Sequence, residues 1–182
     1  MRLRRLSLAL AILLAAAPAL AGVTAIEPHA LRKVMGLRLG SWHTDFTVTE
    51  VKVEPTPGGN AAAVAKAEAE LSGKVGVPRT SDECLWDSPE QMFIPGIRVA
   101  SGCDFSRVDA RNGRFAVAMQ CERPDAGVRV QTDFQGSYAP ESMDGHFDIT
   151  VTTGELSIRM KADGKSRYAG ACPPPPIVTV PR

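Results

Sequence analysis

From about residue 97 onward, apolar and polar residues alternate with period two, the pattern of strands with one face buried and one face wet. Ile97, Val99, Cys103 and Phe105 share one parity, and after Asn112-Gly113 so do Phe115, Val117, Met119 and Cys121. This predicts a β-hairpin. If its loop is Arg111, Asn112 and Gly113, with the glycine in the left-handed position, Cys103 lies opposite Cys121 on the apolar face. The next segment places Val128, Val130, Phe134 and Tyr138 on one side, and a turn at Ala139 to Ser142 leads into Met143, Phe147, Ile149 and Val151, so that Phe134 faces Phe147. A turn at Thr152 to Glu155 gives Leu156, Ile158 and Met160; Asp163-Gly164-Lys165 then reads as a further turn, returning the chain through Tyr168 to Cys172.

The first half is less regular. Trp42, Thr44, Phe46 and Val48 alternate before Val51 and Val53 change parity, which predicts a bulge near Thr49 and Glu50. Pro55 to Gly59 is a turn cluster, after which Asn60 can cap an alanine-rich helix near 61–72, with Val64, Ala67 and Leu71 on one face. Ser88 to Gln91 suggests a short helical turn.

The connections are too short for parallel crossovers, so the expected fold is mainly all-β: an antiparallel meander of seven or eight strands with one short helix. A sheet with one buried face needs closure or a cover, and a small closed or partly open β-barrel is the expected architecture.

The N-terminus changes the picture of where this domain works. Arg2, Arg4 and Arg5, an apolar run from Leu6 to Ala17, and Pro18 before Ala19-Leu20-Ala21 read as a secretory signal peptide over 1–21, cleaved after Ala21. The apolar run is too short to span a membrane, and no comparable run follows. The expected organisation is the signal, a lead-in over 22–35, a single disulfide-bonded domain over 36–172 and a proline-rich tail over 173–182, in a periplasmic protein with no stable membrane insertion after cleavage. Without the signal the charge is 18 − 20 = −2, and the basic residues are scattered among acidic ones, which argues against nucleic acid as a partner.

Cys84, Cys103, Cys121 and Cys172 are an even set in a chain bound for an oxidising compartment. Their spacings of 19, 18 and 51 residues lack the close pairs of zinc sites. Strand parity favours Cys103–Cys121 as one disulfide, which leaves Cys84–Cys172 as the other.

The order of G-S-W at Gly40 to Trp42, C-L at Cys84, a cysteine at 103, A-M-Q-C ending at Cys121, G-S-Y from Gly136 and A-G-A-C-P through Cys172 resembles an uncharacterised family of bacterial periplasmic four-cysteine domains of unknown function. The resemblance covers roughly residues 36 to 173 and implies location and fold. The family has no established activity to transfer. His43 departs from it, standing where an acidic residue is common, and the segment before Gly40 is longer than usual.

Candidate chemistry is sparse. His43 and His146 stand in H-x-D arrangements with Asp45 and Asp148, but on the polar parity of their strands, where a solvated residue is the simpler reading than a metal ligand. Asp133, Asp144 and Asp148 are likewise explained by alternation. The familiar hydrolase and nucleotide motifs are absent, so neither a catalytic centre nor a cofactor is expected. Trp42, Phe46, Phe105, Phe134, Tyr138 and Phe147 belong to the inward set and either fill a core or line a cavity. Two functions follow as expectations: non-enzymatic binding of an apolar, lipid-like small molecule, or a structural module with a filled core that presents its surface to an envelope protein.

Overall fold

The computed structural model describes residues 27, 30–86, 94–96 and 103–173. The signal segment, Ile97, Val99, the turn over 88–91 and the tail beyond 173 lie outside the described residues. The strands are β1 (Gly40–Pro55), β2 (Pro78–Leu85), β3 (Cys103–Arg111), β4 (Arg114–Arg123), β5 (Val128–Ala139), β6 (Ser142–Thr152) and β7 (Leu156–Gly170), with helices α1 (Leu31–Met35) and α2 (Ala61–Ser72). They form one antiparallel sheet in the order β2-β1-β7-β6-β5-β4-β3. The sheet is open: β2 and β3 are its two edges and do not pair with each other, so the closed barrel is not formed.

Tight turns set the meander. Asn112 (φ 51°) and Gly113 (φ 70°) make a two-residue turn with Arg111 opposite Arg114, one residue shorter than the loop read from the sequence. A register shift at Ser106, between Phe105 and Arg107, restores the missing residue, and Cys103 still meets Cys121. The irregularity expected near Thr49 is also present, as a shift between Val48 and Glu50 against β7.

One expected turn is absent. Asp163-Gly164-Lys165 runs straight through β7, a single 15-residue strand. Gly164 pairs with Gly145, which pairs with Gly136, so three adjacent strands carry glycine in one row, with Phe115 beyond one end and Phe46 beyond the other. A Cβ on Gly145 would overlap the Phe134 ring, and one on Gly164 would lie 3.0 Å from Phe147 Cε2. These glycines serve ring packing rather than chain reversal.

Phe134 and Phe147 stack at 3.9 Å between centroids, Phe115 meets Phe134 at 4.6 Å, and Phe46 meets Phe147 edge-on at 5.4 Å. Trp42 is fully buried and donates from Nε1 to the Arg38 carbonyl at 2.9 Å. The lead-in contributes α1, which buries Leu31 and Met35, and Ile94 and Pro95 are also buried in the core. Pro95–Gly96 lies over the buried Thr44–Ser166 pair, whose hydroxyls are 2.9 Å apart. Asn60 caps α2 by accepting from the Ala63 N–H at 2.8 Å. That helix buries no residue completely; Ala63, Val64, Ala67 and Leu71 are its half-buried positions.

Candidate functional site

The inner face divides into two halves. One half is filled: Trp42, Phe115, Phe134, Met143 and Phe147 are all buried, with the aromatic stack lying across the glycine row. The other half consists of two further rows of the same face. Register places Phe105, Met119, Thr132, Ile149, Met160 and Val51 in the first, and Cys103, Cys121, Val130, Val151, Ile158 and Val53 in the second. Apart from buried Thr132 and Val53 these side chains are only half-buried. The result is an apolar surface across six strands without a charged residue, abutting a packed aromatic wall.

This division sorts the expected lining residues. Trp42, Phe134 and Phe147 are core: Phe134 and Phe147 stack on each other, while Trp42 meets Tyr168 edge-on and donates to the Arg38 carbonyl. Phe46, Phe105 and Tyr138 are half-buried at its margins, and of these only Phe105 belongs to the half-covered rows. Ile149, Val151, Ile158 and Met160 have a larger share in that surface than the aromatics; Ile149 and Val151 share the parity of Phe147, and Met160 and Ile158 are their cross-strand partners.

Cys103 and Cys121 form a disulfide. Cys84 and Cys172 are both thiols in this structure. They are neighbours, and burial, followed by the interaction with Cys84, pushes the Cys172 thiol up to about 11.

The outer face is polar. His43 lies 2.8 Å from Asp82 through Nδ1 and 3.5 Å from Asp45 through Nε2. His146 lies 2.9 Å from Asp163 and 3.9 Å from Asp148. The nearer partner in each case sits on a neighbouring strand, beyond the reach of an H-x-D reading. The Asp82 hydrogen bond raises His43 above the ordinary imidazole value. Asp133 and Asp148 are direct cross-strand partners, with Asp133 paired to Arg107 at 3.1 Å; Asp144 pairs with Arg167 at 3.0 Å. Among the described residues no three histidine, cysteine or acidic side chains are grouped to hold a metal ion, and no helix is long and apolar enough to cross a membrane.

A family model described as a protein of unknown function (DUF3617) matches residues 37–172. The chain belongs to this family. Neither a curated protein nor a solved structure matches it. The DUF3617 match begins just before β1 and ends at Cys172, so it spans the whole sheet and all four cysteines, and it leaves α1 outside.

Proposed function

We propose that this DUF3617 domain acts in the periplasm as a non-enzymatic binder of an apolar, lipid-like small molecule, held on the half-covered end of the inner face. The observation that carries the reading is the pair of uncharged rows running across six strands beside a filled aromatic core. Apolar surface left half-covered gains free energy when a ligand removes it from water, at about 25 cal/mol per Å². An apolar surface with few polar groups suits a molecule of the same character. The filled half supports a second reading, a structural module that meets an envelope protein through its surface.

Native mass spectrometry of protein recovered from the periplasm without reduction separates the two. The binder reading expects a chain beginning at Gly22 with an added component that leaves on activation, together with enhanced fluorescence of N-phenyl-1-naphthylamine. Replacing Ile149 and Met160 together by threonine removes apolar contact at the centre of the first row and should weaken probe binding about tenfold, equivalent to about 1.4 kcal/mol. A ligand-free mass with no probe enhancement in folded protein would overturn the binder and leave the module.

A further inference from the structure

Cys84 and Cys172 are separated by 172 − 84 = 88 residues, yet the fold makes their side chains neighbours. In β1, Ser41 is flanked by Cys84 of β2 on one side and Gly170 of β7 on the other. The chain leaving β7 must therefore cross the end of β1 within two residues to bring Cys172 to Cys84. Two glycines in the left-handed half of the backbone map allow it: Gly170 (φ 122°) turns the chain, and Gly40 (φ 136°) clears its path. A Cβ on Gly40 would collide with the Gly170 carbonyl and lie 2.6 Å from Tyr168 Cε2. Both cysteines are half-buried rather than fully enclosed.

We propose that Cys84 and Cys172 are a dithiol–disulfide couple, a site of reversible oxidation that staples edge strand β2 to the chain leaving β7 and is distinct from the Cys103–Cys121 bridge. The oxidant is a disulfide donor. The Cys84 thiolate, its proton released to solvent, attacks one donor sulfur, forming a mixed disulfide and expelling a donor thiolate. Cys172 then loses its proton, attacks the Cys84 sulfur and expels the second donor thiolate. Two protein thiols are oxidised, and one donor disulfide is reduced to two thiols. Attack in the opposite order gives the same protein disulfide and the same two donor thiols.

The test uses the full folded chain, with the two thiols reduced and then exposed to glutathione mixtures, acid-quenched and mapped by peptide mass spectrometry. Oxidised glutathione should produce a Cys84–Cys172 linked peptide, and excess reduced glutathione should return both thiols, while Cys103–Cys121 stays linked throughout. In Cys172→Ser the second step is blocked, and one glutathione should accumulate on Cys84 at about ten times the wild-type level or more. Wild-type protein that keeps both thiols, or carries stable glutathione on either cysteine, under excess oxidised glutathione would overturn the couple. Rapid closure in the wild type with trapping in Cys172→Ser is a result that mere proximity without reactivity would not give.

Discussion

Gly145 offers the sharpest test of how the core is built. An alanine there would set its Cβ against Phe134, overlapping Cε2 and lying 2.6 Å from Cζ and 3.2 Å from Cδ2. The ring has little room to retreat: it stacks on Phe147, touches Phe115 and is only 2 % exposed. Forcing a methyl into such packing costs about 1–3 kcal/mol, against which alanine recovers about 0.5–1 kcal/mol of backbone entropy. The expected net loss for Gly145→Ala is about 1–2 kcal/mol, or a Tm lower by about 2–8 °C for a domain of this size. Urea unfolding followed by tryptophan fluorescence would measure it. In a Phe134→Leu background the same change should be nearly neutral, giving a favourable coupling of about 1 kcal/mol. Gly136→Ala should cost more than either, because the atoms in its way are backbone, with Gly145 Cα at 2.7 Å. Gly154→Ala, whose Cβ meets nothing within 4 Å, should stay within about 0.5 kcal/mol of wild type. A Gly145→Ala protein as stable as wild type, or strict additivity with Phe134→Leu, would refute the placement of the ring over the glycine row.

Replacing Cys103 and Cys121 together by alanine should destabilise by about 3 kcal/mol, from the loop-closure entropy of an 18-residue separation, measured by denaturant unfolding without reductant. Trp42→Phe loses the hydrogen bond to Arg38 and leaves a cavity; about 2 kcal/mol should be lost, read from the denaturation midpoint. His43 is held above its ordinary value chiefly by its hydrogen bond to Asp82, so its contribution to stability is complete below the unfolded value of about 6.5 and disappears as pH rises through the folded one. An NMR titration of the imidazole should show the raised midpoint and its return toward the ordinary value in Asp82→Asn.

Parity carried most of the sheet into view. The pairing of Phe134 with Phe147 follows from alternation and the turn at Ala139 to Ser142, and the break near Thr49 from alternation, because a strand that buries one face cannot change register without moving every side chain to the wrong side. The Cys103–Cys121 pairing came from a loop one residue too long and a bulge not foreseen, two offsets that cancel. Gly164 misled because Asp-Gly-Lys carries turn chemistry, whereas the need it meets is space for a ring supplied by Phe147 on another strand. Edge strand β2 was missed for a related reason: Pro78 to Glu83 is polar and largely exposed, so no period-two signal marks it. Helix α1 is a single short turn, too brief for a helical period to emerge. At the candidate surface, sequence supplied the apolar set, but only register could divide it into a filled half and a half-covered one.

The placement of β1 between β2 and β7 has a kinetic consequence. During synthesis β1 emerges early and can pair with β2 once α2 and the following residues have appeared. Its other edge must wait for the last strand: Ser41 and Gly170, which become partners, are 170 − 41 = 129 residues apart. Strands β3 to β7 can zip one hairpin at a time, each closure short and fast, while joining β1 to β7 is the long-range step that should set the folding rate. Until then Trp42 and Phe46 lack their β7 neighbours, and the unfinished β1–β2 pair presents a bare strand edge to any other chain nearby.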